Sequence, residues 1–211
     1  MKKFLTSGLI LALVLGLATA SPASTVYMDV WNGGEFDTGS STKKNLSQIA
    51  VGLNIPMNEF KFSCELTDGT IDCYGCKDDF DTSGILLKGG YALVNDRQLR
   101  VDITGGFYER TLSFYYRGDE KSYYSSMLGF DAKLKLDKKA WLDFNYAFGI
   151  NPRYHYYDYI DIDSISLLKC KFNYRITREF GAALGYNCET IKNGSYKNKY
   201  SGITLGAFLR F

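Results

Sequence analysis

The sequence predicts an all-β protein: one domain over residues 21–211, folded as a transmembrane, antiparallel, up-and-down β-barrel of ten strands. Three observations carry this expectation. Segment after segment alternates apolar with polar or small residues at a period of two, the repeat of a strand with one apolar face. The connections between these segments alternate short and long along the chain. Tyr (17) and Phe (14) dominate the apolar residues and Gly is abundant (21). Past residue 20, however, no stretch reaches the roughly 20 apolar residues of a spanning helix.

Residues 1–20 stand apart. Lys2 and Lys3 precede an apolar run over 9–17 and then Ala18-Thr19-Ala20. A basic start, a short apolar core and an A-x-A site make a secretory signal peptide. The expected cut leaves Ser21, not Cys, at the new terminus, which argues against a lipid anchor.

The strands then follow in order. Segment 25–33 has the weakest alternation. In 46–55, Ile49, Val51, Leu53 and Ile55 form a clean apolar face, and 58–66 and 85–94 come next. Leu99, Val101 and Ile103 alternate with Arg100, Asp102 and Thr104. Leu128, Phe130, Ala132, Leu134 and Leu136 alternate with Gly129, Asp131, Lys133 and Lys135. Leu142, Phe144, Tyr146, Phe148 and Ile150 form the next apolar face, followed by Leu168, Cys170, Phe172 and Tyr174. Phe180, Ala182, Leu184, Tyr186 and Cys188 precede the closing strand, 201–211. The apolar faces are expected to hold one phase throughout, which argues against a soluble β-sandwich with its second buried face.

Connections at 55–58, 95–97, 137–139 and 175–179 are short, and those at 35–45, 67–84, 111–124, 151–163 and 189–199 are long. Such alternation is expected when short turns face the periplasm and long loops face outside. Nine strands from residue 46 onward would leave the N-terminus outside. Single-chain bacterial barrels have even strand numbers, so segment 25–33 is read as the tenth strand and both termini as periplasmic. Eight strands is the alternative. Pro56 falls in the first short turn and Pro152 opens a long loop, so neither is expected to interrupt a ladder.

The last strand puts Ile203, Leu205, Ala207, Leu209 and the terminal Phe211 on one face. A chain that ends on an aromatic in this way resembles the C-terminal signature of bacterial outer-membrane β-barrels. With the signal peptide and the amphipathic strand set, the mature chain is similar to the small outer-membrane barrels of diderm bacteria, a group that includes minor porins, adhesins and structural barrels. The resemblance implies the outer membrane as location and outer-membrane lipid as surroundings. It also implies recognition of Phe211 by the barrel assembly machinery, and no cofactor. A monomer is the default. The net charge of +2 is too small to argue for nucleic acid. The function that fits is non-enzymatic, a structural or surface-interaction role through the loops. A narrow porin for small, slightly anion-favoured solutes is the alternative, and an enzyme acting on lipid or peptide is the least supported.

The alternation assigns a set of charges to the barrel interior. Lys61, Lys88, Arg100, Arg110, Lys133, Lys135, Lys169, Lys171 and Arg210 are positive, and Glu65, Asp102, Asp131 and Asp143 are negative. They either pair across the interior and close it or line a water path with a basic bias. Cys64, Cys73, Cys76 and Cys188 map to the outer side, and export favours a local bridge from Cys64 to Cys73 or Cys76. Free thiols, and a metal on the Cys73-Tyr-Gly-Cys76 spacing, are the alternatives. Cys170 is read as facing lipid. His155, the only histidine, stands in the tyrosine-dense stretch 154–163 and lacks a Ser two residues on. It is read as an exposed loop residue, not a catalyst. Asp158, Asp161 and Asp163 form only a weak calcium pattern.

Overall fold

A computed structural model describes residues 24–37, 43–72, 80–114, 120–155, 159–194 and 196–211. The expected signal peptide, Cys73, Cys76 and Asp158 lie outside them. Eleven strands form: β1 (Thr25–Asp37), β2 (Lys43–Met57), β3 (Phe60–Asp72), β4 (Phe80–Asn95), β5 (Leu99–Phe114), β6 (Glu120–Lys135), β7 (Ala140–His155), β8 (Tyr159–Asp161), β9 (Ser164–Arg175), β10 (Phe180–Asn193) and β11 (Tyr196–Arg210). All ladders are antiparallel. Each barrel strand pairs with its sequence neighbours, β7 passing over β8 to β9, and β1 pairs with β11 to close the ring. The result is a ten-stranded barrel, with β8 as an extra three-residue strand on the upper part of β7. The weakly patterned N-terminal segment is therefore the closing strand. Its alternation is blurred by a register shift between Trp31 and Glu35.

Four short turns and both described chain ends lie together at one end of the barrel, called here the terminal end. The Phe211 amide donates to the Ser24 carbonyl at 3.0 Å there. Three of the turns share one construction. Asp96, Asp137 and Thr177 each accept, on a side-chain oxygen, the amides two and three residues on. Short polar side chains favour turns because they can replace a backbone acceptor in this way. Both Asp carboxyls are held below the usual carboxylate range by these backbone N–H groups. The fourth turn places Asn58 at φ 50°, a left-handed conformation that Asn tolerates.

At the opposite, hairpin end the long connections expected from the sequence are mostly strand. The ladder of β10 with β11 runs on to Asn193–Tyr196, turning at Gly194, where φ is +56°. Likewise β3 continues to Asp72 and β7 to His155. Pro152 consequently sits inside β7 and not at the start of a loop. It is accommodated beside Asn151 (φ 51°), where the β6–β7 register shifts between Tyr124 and Ser126. Proline tolerates a bulge because it has no ladder hydrogen bond to lose there.

The expectation that the apolar faces hold one phase is corrected by the structure. Between the terminal end and mid-barrel the outer face is apolar and the inner face polar. Ile203 and Leu205, each 66 % exposed, and Phe130, Phe144, Phe148 and Leu184 belong to this outer belt. Above it the phase inverts. On β3, outward Phe60, Phe62 and Leu66 give way to Asp68 and Thr70, while inward Lys61 and Glu65 give way to Ile71. On β9, outward Phe172 and Leu168 give way to Ser166 and Ser164, while inward Lys171 and Lys169 give way to Leu167 and Ile165. The physical reason is the change of solvent. Where lipid surrounds the wall the outside is apolar, and where the wall rises into water the inside must supply the core. The apolar band on β7, from Leu142 to Ile150, spans roughly 27 Å along the strand and about 20 Å along the axis at a 40° tilt. Strands of 16 residues, such as β4 to β7, therefore overreach the bilayer.

Candidate functional site

The interior has two storeys. In the hairpin-end storey, Trp31, Leu46, Ile71, Phe80, Tyr108, Leu112, Tyr123, Met127, Ala147, Ile162, Ile165, Leu167, Ile191 and Tyr200 form one buried cluster. Each of the ten barrel strands contributes at least one of these side chains. Tyr123 stacks on Tyr154 at 5.2 Å between ring centroids, and Asn198 donates to the Tyr123 hydroxyl at 3.3 Å. Ile162 is tied in by its amide, which donates to the Pro152 carbonyl at 3.1 Å. This is a packed, mostly apolar core to which every barrel strand contributes.

Set within that core is a buried polar layer, its members paired in the ladders with core residues: Arg110 with Tyr123, Glu189 with Leu167 and Tyr200, and Gln48 with Trp31. The Arg110 guanidinium donates to Glu189 at 2.5 and 3.1 Å, to Thr82 Oγ1 at 3.1 Å and to Gln48 at 3.4 Å. The Tyr108 hydroxyl also donates to Glu189. Arg110 lies on β5 and Glu189 on β10, so the pair ties opposite walls together, and the guanidinium stacks over the Tyr200 ring at 5.0 Å.

The terminal-end storey is a cavity of about 420 Å³ that reaches down to the turns at Asp96 and Asp137. Of the charges the sequence assigned to the interior, Lys61, Glu65, Lys88, Arg100, Asp102, Asp131, Lys133, Lys135, Asp143, Lys169, Lys171 and Arg210 line it, and Arg110 sits above it in the polar layer. Ion pairs cross its space. Lys61 and Lys88 share Asp131 at 2.8 and 2.7 Å, and Lys169 pairs with Glu65, which also accepts from the Tyr27 hydroxyl at 2.7 Å. Lys171 pairs with Asp29 and lies 4.3 Å from the Tyr27 ring centre. Arg100 bonds Asp102 at 2.8 Å and also donates to the Asn58 and Phe60 carbonyls. Asp143 is occupied by neutral donors, Trp141 Nε1 at 3.0 Å and Asn173 Nδ2 at 2.9 Å.

Sequence reasoning missed Asp29 and Glu189, the partners of Lys171 and Arg110. Asp29 lies on the blurred first strand, and Glu189 was read as loop. The signal that reaches Glu189 is Asn193-Gly194, a dipeptide that marks a tight hairpin and would have extended both flanking strands.

The expected rim position of two cysteines is corrected. Cys64 and Cys188 carry free thiols and sit mid-strand, not at a rim, while Cys73 and Cys76, the expected partners of Cys64, lie outside the described residues. Cys64 lies on the outer phase of β3, with Leu53 and Leu87 as strand partners. Cys170 is free and exposed on β9. His155 is half-buried at the end of β7, paired in the ladder with Ser122 and Tyr159, and is not a loop residue. Asp161 falls in β8. The Asp163 carboxylate accepts the Gly194 amide at 2.8 Å and so braces the β10–β11 hairpin. Among the described residues no group of three or more His, Cys, Asp or Glu side chains is placed to hold a metal ion.

No protein-family model and no curated protein sequence matches the chain. Solved structures do. An outer-membrane channel from Pseudomonas putida F1 is 12 % identical with a TM-score of 0.51, over 90 % of this chain and 96 % of that one. Neisserial surface protein A is 14 % identical with a TM-score of 0.43, over 89 % and 97 %. Ail, the attachment invasion locus protein of Yersinia pestis, is 9 % identical with a TM-score of 0.44, over 90 % and 99 %. The fold is that of bacterial outer-membrane β-barrels.

Proposed function

We propose that this protein is a closed, non-enzymatic outer-membrane barrel that works through its hairpin end as a structural or surface-contact element. In this reading the terminal end faces the periplasm. The observation that carries the reading is the apolar cluster fed by every barrel strand. A conducting lumen keeps a polar wall through its whole length, whereas here the lining turns mostly apolar at the level of Arg110 and Glu189. The overreaching strands then make a stiff, water-exposed extension with a solid core, suited to presenting its hairpins. Lipid surrounds the outer belt, so a monomer suffices.

The polar cavity of the terminal-end storey favours a second reading, a narrow porin for small anions, which requires the apolar storey to open. Conductance in planar bilayers separates the two. The closed barrel gives no steady single-channel steps. The porin gives reproducible steps with anion selectivity.

A further inference from the structure

We propose that the mouth of the terminal-end cavity is a binding site for a small soluble polyanion, bearing clustered phosphate or carboxylate groups, held by Lys133, Lys135 and Arg210. The inference rests on charge accounting inside the cavity. Most of the cavity's cations have a carboxylate: Lys169 has Glu65, Lys171 has Asp29, Lys61 and Lys88 share Asp131, and Arg100, level with Lys133 in the β5–β6 ladder, has Asp102. Three cations at the mouth are different: Lys133, Lys135 and Arg210 line the cavity with no carboxylate among the described residues within ion-pair distance.

The carboxylates nearby are committed elsewhere. Asp143 is turned to Trp141 and Asn173, and Asp96 and Asp137 hold the amides of their own turns. Lys133 and Lys135 stand two residues apart on the inner phase of β6, and Arg210 lines the same cavity. Lys133 also lies over the Trp141 ring at 4.5 Å, and Trp141 packs edge-on against Phe208 at 5.2 Å, which fixes one wall of the mouth.

Like charges gathered at the rim of a low-dielectric cup repel one another and are relieved by a bound counter-charge. A polyanion with two or more charged groups spans several of these cations, while chloride neutralises one at a time. The site faces the same side as the short turns and does not depend on whether the hairpin end conducts.

The test uses the full barrel, refolded in micelles, with pyrophosphate and citrate as probes and chloride as reference, measured by titration calorimetry at low salt. Both probes are expected to bind with a dissociation constant below about 1 mM. The triple variant Lys133→Gln, Lys135→Gln, Arg210→Gln is expected to weaken binding at least tenfold. Lys133→Arg is expected to retain it. Substituting Lys192, Lys197 and Lys199 with Gln at the hairpin end is expected to change nothing. Binding of only one probe would assign the site to phosphate or to carboxylate and would still support it. Absence of binding by both, equal binding by a triple variant shown folded by its circular dichroism, or an equal loss in the hairpin-end variant would overturn the proposal.

Discussion

Replacing Arg110 with Met tests how the two storeys are joined. Arg110 is 2 % exposed and Glu189 5 %, and the guanidinium supplies two of the hydrogen bonds that Glu189 accepts. Met fills similar volume, so the loss is electrostatic: a carboxylate stays buried with Tyr108 as its remaining donor. Breaking one partner of a buried pair in this way costs about 3–5 kcal/mol, because the surviving charge has lost its compensation. Replacing the whole network with apolar groups is different. The triple variant Arg110→Met, Glu189→Met, Tyr108→Phe leaves no stranded charge, only the neutral Thr82 and Gln48 without their Arg110 donor, and it is expected to recover at least about 2 kcal/mol of the loss. The assay is reversible urea unfolding in lipid vesicles, followed by the fluorescence of Trp31 and Trp141. A cost below about 1 kcal/mol for Arg110→Met, or a triple variant no more stable than the single one, would refute the view of this layer as a desolvated staple.

The same assay checks three further expectations. Leu205→Arg places a charge on the lipid belt and is expected to cost about 2–4 kcal/mol, whereas Thr70→Arg, above the belt on β3 beside Ser47 and Asp81, is expected to cost less than about 1 kcal/mol. Equal costs would deny the change of phase along β3. A Cβ at Gly106 would meet the Leu87 carbonyl oxygen at 2.0 Å, while one at Gly89 meets nothing within 4 Å. Gly106→Ala is therefore expected to destabilise by about 1–3 kcal/mol and Gly89→Ala to be near neutral. The turn aspartates give a pH dependence. Their folded values are depressed, so the stabilisation they give is present above the unfolded value and is lost as pH falls through the folded one. Hydrogen-exchange protection of the Leu99 and Ala140 amides is thus expected to drop below about pH 4, and Asp137→Ala to remove that drop at Ala140 alone.

Much of this architecture is legible in the sequence because a wall between lipid and a polar interior writes a strong period-two pattern. In β7, Leu142, Phe144, Tyr146, Phe148 and Ile150 identify the strand, its outer face and its phase without help. The inward charges follow by counting. What could not be read is where the pattern inverts. Asp68, Gly69 and Thr70 look like a loop when apolar residues are expected on the outer face, but they are the water-facing continuation of β3, with Ile71 now carrying the core. The same inversion hid Glu189 and the depth of Tyr108 and Tyr200. Cross-barrel partners such as Lys169 and Glu65 are separated by four intervening strands in the sheet, and no local pattern records that distance.

Sidedness of access to the interior tests the two-storey barrel most directly. In a background with all five cysteines replaced by Ser, Lys133→Cys and Leu167→Cys place single thiols in the cavity and in the apolar core. With the barrel reconstituted in one orientation, a membrane-impermeant maleimide is applied from each side. The account predicts labelling of the position 133 thiol from the terminal end alone and no labelling of the position 167 thiol from either end. Labelling at 133 from the hairpin end, or at 167 from either end, would contradict it.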